Sequence, residues 1–170
     1  YDFDEFIEMY CDIKLPFWIQ NRTETVTEKK FQKLLDVGLM RVDFGIEHGN
    51  EEFRAKLLKR EYKNEAIIEV SKALSSAGIA LSVNNILGFP GETRELVFDT
   101  INLNRQMEFD TTSGYAFTPF HGTELRTKSV EMGYIPDDYL SRTHTLGLGL
   151  DQPQLSRKEV DGLRRTFALY

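Results

Sequence analysis

The chain has 170 residues, 41% of them hydrophobic and 28% charged, enough to bury one core and read as a single globular unit. A net charge of −6 with dispersed Lys and Arg gives no basic footprint for nucleic acid, so such a substrate would need another domain to hold it. A single cysteine excludes an internal disulfide framework, and no apolar run approaches the ~20 residues of a membrane span, so a reducing cytoplasm is the expected setting.

The chain enters a helical pattern almost at Tyr1 and reaches Tyr170 within another, which suggests a piece of a longer protein. Phe3, Phe6, Ile7, Tyr10 and Cys11 fall at i, i+3, i+4, i+7 and i+8, one stripe of a packed helix, and Cys11 in that stripe reads as a buried inert thiol. After Pro16, Phe17 to Asn21 reads as a short strand. Thr25 with Glu28, or Thr27, caps a second helix carrying Phe31, Leu34 and Leu35 up to Gly38.

A second strand, Arg41 to Glu47, alternates with Val42, Phe44 and Ile46 on one face. A short helix from Glu51 to Leu58 leads to Lys59-Arg60, and Asn64 to Ala77 forms another helix before Gly78. The third strand, Ser82 to Leu87, runs into Gly88-Phe89-Pro90-Gly91 and then a helix starting at Glu92 or Thr93 and running to about Met107. Thr112 to Pro119 is the fourth strand. A short helix ends at Gly133, the stretch 144–150 is extended, and Ser156 with Glu159 opens a last helix, carrying Val160, Leu163 and Phe167, expected on the surface.

Strand and helix alternate, which argues for parallel strands with helical crossovers. Four strands are too few for a closed barrel, leaving a small open sheet or an arc of a larger barrel. Either way the strand-end loops share one face, gathering Arg22 and Glu24, Glu47 and His48, Asn84 and the Gly88 turn, and Thr118 to Thr123. Taken alone, Gly88, Pro90 and Gly91 only shape a turn. Unlike charges and amides around one face suit a zwitterionic ligand: a carboxylate holds an amine, and Arg22, Lys59 or Arg60 holds a carboxylate. His48 and His121 lie near the rim and His144 in the weaker region, without the spacing of a metal site.

Three segments carry a family resemblance: Gly45-Ile46-Glu47-His48-Gly49 with Leu57-Leu58-Lys59-Arg60, then Asn85 to Thr93, then Thr118 to Leu125. In this order and spacing the chain resembles the radical S-adenosylmethionine enzymes, nearest the branch of methylthiotransferases, coproporphyrinogen dehydrogenases and cobalamin-binding enzymes. The resemblance covers residues 1 to about 128, leaving 129–170 as a post-barrel extension. It implies an α/β fold, the C-terminal arc of a partial (β/α)6 barrel with about four parallel strands. The three-cysteine loop that holds the [4Fe-4S] cluster is absent here and is expected upstream.

The resemblance implies that Arg22 or Glu24 lies beside the methionine moiety of S-adenosylmethionine and Glu47 beside its ribose or amine. Arg60, with Lys59 as competitor, pairs with the carboxylate; Asn84 reaches the ribose hydroxyls; Ile86 and Gly88 pack on adenine, with Tyr115 and Phe117 as further neighbours. It implies reductive cleavage of S-adenosylmethionine to a 5'-deoxyadenosyl radical, an electron donor such as ferredoxin or flavodoxin, cobalamin in the branch that binds it, and an isolated arc that is inactive and self-associates through open edges. Two other readings compete: a phosphate-binding (β/α) barrel using the amides of the Gly88 turn, which Glu92 opposes electrostatically, and a non-catalytic scaffold.

Overall fold

The computed structural model describes residues 2–22, 25, 28–141 and 149–170. In chain order they form α1 (Phe3–Tyr10), β1 (Phe17–Arg22), α2 (Glu28–Asp36), β2 (Leu39–Glu47), α3 (Glu51–Leu58), α4 (Asn64–Ser76), β3 (Ala80–Leu87), α5 (Arg94–Asn104), β4 (Thr111–Ala116), α6 (Glu124–Glu131) and α7 (Arg157–Thr166), with a closing 3-10 turn at Phe167–Leu169. The strands lie in the order β1-β2-β3-β4 and every pair is parallel. Parallel neighbours in chain order, joined by crossovers of the usual right hand, put their helices on one face and leave the other open. This is the expected barrel arc.

Alternation along the strands decides which residues face which layer. Val42, Phe44 and Ile46 of β2 are fully buried, with Leu81 and Val83 of β3, against Phe31 and Leu34 of α2, Ile67 and Leu74 of α4 and Leu103 of α5. Each such side chain contributes about 1.5–3 kcal/mol of transfer free energy. The same helix-facing layer contains a polar knot: Asn85 and Asn104 exchange amide hydrogen bonds at 2.9 and 3.2 Å, and Thr112 Oγ1 donates to Asn104 Oδ1 at 2.8 Å. Two adjacent asparagines on β3 therefore part company, Asn85 into the core and Asn84 onto the open face.

Three expectations need correction. Cys11 is exposed: α1 ends at Tyr10, and Cys11 caps it in a turn with its thiol donating to the Glu8 carbonyl, so the apolar stripe stops one residue short. The helix after the Gly88 turn ends at Asn104 instead of Met107. The last helix is no surface element, because Val160, Leu163 and Phe167 pack with Leu87, Val97, Ile101 and Ala116 in one cluster. Its capping box at Ser156 and Glu159 forms as expected. The cap expected at Thr27, the side chain of Glu28, Glu24, His144 and most of the stretch 144–150 lie outside the described residues.

The burial of α7 sets a test. Leu163→Ala is expected to lower the unfolding free energy by about 2–4 kcal/mol in urea titrations, whereas a surface position would change it by less than about 0.5 kcal/mol.

Candidate functional site

The open face holds a cavity of about 880 Å³ toward the carboxyl ends of the strands. Its wall is contributed in turn by Asn21 and Arg22 of β1, Gly45 and Glu47 of β2, Asn84 and Ile86 of β3 and Tyr115 to Thr118 at the end of β4, with Leu58 at the end of α3 and Arg60 just after it. Cavities in this position are where ligands bind in parallel α/β folds.

The end of β2 determines the shape of the site. Its ladder with β3 slips between Gly45 and Glu47, and Glu47 takes a left-handed φ of 60°, closing a tight turn in which His48 N–H donates to the Ile46 carbonyl at 2.6 Å. Such a conformation at a non-glycine residue is strained and persists only when its surroundings over-determine it. They do so here. Tyr62 Oη donates to the Ile46 carbonyl at 2.6 Å, Arg54 Nη1 to the His48 carbonyl at 2.7 Å, Asn64 Nδ2 to the Gly49 carbonyl at 2.7 Å, and Gly49 N–H to Thr100 Oγ1 at 2.9 Å.

Arg54 is fully buried, its guanidinium stacked 3.9 Å from the Tyr62 ring centroid. Asn50 caps α3 by accepting from Phe53 N–H at 2.9 Å. Gly45 leaves room for the Glu47 side chain: a Cβ there would lie 2.7 Å from Glu47 Oε1 and would push the flexible end of Glu47 aside, so the bare strand is what lets the Glu47 carboxylate fold back over the cavity.

Beside Glu47, Arg60 donates through Nη1 to the Gly45 carbonyl at 3.1 Å, and its Nη2 lies 3.5 Å from Glu47 Oε1. Both side chains are about four-fifths buried. The ion-pair separation exceeds a well-formed hydrogen bond.

His48 turns away from the cavity. Its ring is buried against Phe53 and Phe89, Nδ1 accepts from Asn50 N–H at 3.0 Å, and Nε2 therefore carries the proton and donates to Glu92 Oε1 at 3.0 Å. Glu92, fully buried, also accepts from the backbone N–H groups of Gly88 and Phe89. From the far end of the chain Gln152 completes the turn, donating to the Gly88 and Phe89 carbonyls at 3.2 and 2.9 Å and accepting from Gly91 N–H at 2.7 Å. The amides that a phosphate would use are thus filled by protein groups, which overturns the phosphate-cradle reading.

Of the residues expected at the site, Arg22, Glu47, Arg60, Asn84, Ile86, Tyr115 and Phe117 line one cavity. Lys59 does not line it: it is 71% exposed and binds both carboxylate oxygens of Glu124 at 2.9 and 2.6 Å. Gly88 does not line it either, since the place of its missing Cβ faces Val160 at 3.1 Å. His121 is exposed and also absent from the lining. Sequence reasoning passed over Gln20 and Asp43, both in the wall. For Asp43 the signal was present, because Val42, Phe44 and Ile46 on one face place residue 43 on the other.

Parallel strands in chain order, with opposite charges gathered where their carboxyl ends meet, define a ligand-binding (β/α) barrel-type protein. The family model of the Radical SAM superfamily matches residues 1–103, and the chain belongs to that superfamily. Over 80 residues it is 36% identical to tRNA-2-methylthio-N(6)-dimethylallyladenosine synthase of Halalkalibacterium halodurans, a match covering 46% of this chain and 15% of that protein. The same enzyme of Bacillus subtilis is 34% identical over 70 residues, covering 40% of this chain and 14% of its own length.

Among solved structures, coproporphyrinogen III oxidase (HemN) of Escherichia coli, described as a radical SAM enzyme, superposes with a TM-score of 0.68 and 18% identity over 99% of this chain and 37% of its own. The Elp3 protein of Methanocaldococcus infernus superposes with a TM-score of 0.59 and 24% identity over 75% of this chain and 29% of its own. These structures share the fold. The chain spans only about 15% of the length of the curated relatives it matches.

Two tests follow from the geometry. Glu92→Ala leaves His48 Nε2–H and two buried amides without an acceptor and is expected to cost about 2–4 kcal/mol in chemical denaturation. Glu92→Gln should cost less but remain destabilising, because its NH2 would face a histidine whose other nitrogen already accepts from Asn50. Glu51 holds the neighbouring corner, accepting from Lys63 Nζ at 2.8 Å and Asn64 N–H at 2.7 Å, and its pKa is lowered, first by the Lys63 hydrogen bond and then by that of Asn64. A lowered folded-state pKa contributes stability above the unfolded pKa that is lost as pH falls through the folded one. The stability gap between wild type and Glu51→Gln should therefore be full at neutral pH and close on acidification below the ordinary carboxylate range, as followed by thermal unfolding.

Proposed function

We propose that this chain supplies the S-adenosylmethionine-binding and substrate-facing strands of a radical S-adenosylmethionine enzyme. The observation that supports it most is the Glu47 and Arg60 pair: two opposite charges 3.5 Å apart at the lip of the cavity, the separation of a contact that a zwitterion can enter. Glu47 would take the ribose or the ammonium group, Arg60 the carboxylate, with Arg22 beside the methionine moiety. Asn84 would meet the ribose hydroxyls and Ile86 would pack against adenine, with Tyr115 and Phe117 as further neighbours. Opposite charge, hydrogen-bonding amide and apolar strand follow one another around the wall in the order the ligand presents its groups.

The described residues contain no group of three or more His, Cys, Asp or Glu able to hold a metal, and Cys11 is a lone exposed thiol. The [4Fe-4S] cluster does not fit the described residues, and its ligands would come from outside them. When bound, S-adenosylmethionine supplies, on one-electron reduction, a hydrogen-abstracting radical. This chain's residues would orient the ligand and shield it: Phe89 and Phe117, their ring centroids 5.3 Å apart and their planes tilted by 41°, form an apolar part of the wall that would keep the adenine side of the cavity dry.

The electron would come from a donor of the ferredoxin or flavodoxin kind, with cobalamin as a second cofactor if the protein belongs to the branch that uses it. No helix among the described residues is long and apolar enough to cross a membrane, and a cytoplasmic setting is part of this proposal. So is self-association of the isolated arc through the open edges of β1 and β4.

The test uses the full-length protein, reconstituted anaerobically. Wild type is expected to bind S-adenosylmethionine in equilibrium dialysis and, when reduced, to release 5'-deoxyadenosine. Arg60→Ala and Glu47→Gln should each weaken binding about tenfold, near 1.4 kcal/mol. Wild-type protein that binds none, or variants that bind as wild type does, would defeat the reading or the assignment respectively.

A further inference from the structure

One carboxylate in the cavity wall is left over by this arrangement. Asp43 lies on the open face of β2 and is only 9% exposed, yet its Oδ1 has no hydrogen-bond partner among the described residues. A buried carboxylate oxygen without a donor is costly, and native structures rarely keep one without a reason. The neighbours do not supply the missing donor. In register, Gln20 of β1 and Ser82 of β3 flank Asp43 on either side. Neither makes a hydrogen bond to Asp43 Oδ1 among the described residues; Ser82 Oγ is turned to Arg41 Nη1 at 3.1 Å and Thr111 Oγ1 at 2.9 Å, from both of which it accepts. Arg41, two residues earlier on the same strand face, directs its guanidinium to Ser82 and forms no ion pair with Asp43 among the described residues.

Asp43 lies below the charges at the lip on the same strand face: Gly45, over which the Glu47 carboxylate folds back, is two residues further on, roughly 7 Å at about 3.3 Å per residue, and the Arg60 guanidinium is turned to the Gly45 carbonyl and Glu47, with no ion pair to Asp43 among the described residues. The cavity, at about 880 Å³, lies in the upper part of the ~300–1,000 Å³ range of small-molecule sites, and Asp43 lines it below the charged lip.

We propose that Asp43 is a substrate-recognition residue at the floor of the cavity, accepting hydrogen bonds from a cationic nitrogen group, an ammonium or guanidinium, of the molecule that binds beneath S-adenosylmethionine. This rests on the function proposed above, and it extends it to a substrate class: a ligand that carries positive charge at the end it inserts first. A cation is the group that offsets the desolvation of a carboxylate, through a charge-assisted hydrogen bond about twice as strong as a neutral one.

The experiment titrates the full-length protein, with S-adenosylmethionine present, with benzylamine, which is protonated at neutral pH, and with benzyl alcohol, its neutral counterpart, following each probe by saturation-transfer NMR. Wild type is expected to prefer benzylammonium by about tenfold, a charge-pair preference of near 1.4 kcal/mol. Asp43→Asn is expected to abolish the preference while leaving the dissociation constant for S-adenosylmethionine within twofold. Equal binding of the two probes by wild type, or a preference that survives in Asp43→Asn, overturns the proposal. So does a parallel loss of S-adenosylmethionine affinity, which would place Asp43 in the first ligand's site.

Thermal unfolding without probes gives an independent reading. Asp43→Asn removes an unpartnered buried charge and should keep or raise the midpoint; a midpoint lowered by several degrees, or a variant that does not fold, would mean that a cation of the protein itself partners Asp43, and the proposal falls. Failure of wild type to bind S-adenosylmethionine would sink the proposed function; the same probe titration repeated without S-adenosylmethionine reads Asp43 separately, and equal binding of the two probes there as well would overturn the assignment of Asp43.

Discussion

The buried carboxylate of Glu92 is the contact on which the rest of this structure depends. It joins the end of β2 to the end of β3 by accepting hydrogen bonds from His48 Nε2–H on one oxygen and from the amides of Gly88 and Phe89 on the other. A carboxylate out of water is tolerated only when its lone pairs are met by donors, and here three donors from two strand ends meet it. Because the ring of His48 is held at both nitrogens, the main chain of Glu47 just before it is held as well. The position of the cavity lip therefore follows from an interaction on the far side of the strands.

Around that contact the backbone of residues 45–50 is satisfied almost group by group. Arg54, Arg60, Tyr62 and Asn64 each donate to a carbonyl of this corner, so the segment after α3 serves the strand before it. The strained φ of Glu47 is the product: a side chain aimed over a bare glycine into the cavity, in a conformation the surrounding hydrogen bonds hold in place. Arg60 then has two tasks, buttressing the Gly45 carbonyl and presenting positive charge beside Glu47. The Gly88 turn is similarly closed from outside its own strand, by Gln152, and packed from below by Val160 of α7. The C-terminal segment is part of what holds the site's rear wall.

Much of this was legible in the sequence because it is local. Period-two alternation in β2 placed Val42, Phe44 and Ile46 in the core, the capping box at Ser156 and Glu159 marked α7, and the helix-glycine-strand joints at Gly38 and Gly78 announced parallel order. The three family segments carried further still, since they brought out Glu47 and Arg60, which line one cavity. The misses were of another kind. Lys59 and Arg60 are neighbours of the same charge, and only the left-handed turn at Lys59 sends one outward to Glu124 and the other inward to Glu47. Cys11 fell at a helical spacing, but the helix had already ended.

By itself the sequence determined the elements, their parallel alternation and the family, because hydrophobic period, capping residues and turn glycines act within a few residues of where they stand. Only the tertiary structure decided that Asn85 belongs to the core and Asn84 to the cavity, that His48 turns from the rim to pair with Glu92, that α7 is buried, and that Asp43 Oδ1 is left without a partner among the described residues. Each of those outcomes depends on which long-range donor or apolar surface reaches a given atom first. Contacts between residues 44 to 64 positions apart, such as His48 with Glu92 and Gln152 with Gly88, exist only once the chain has folded.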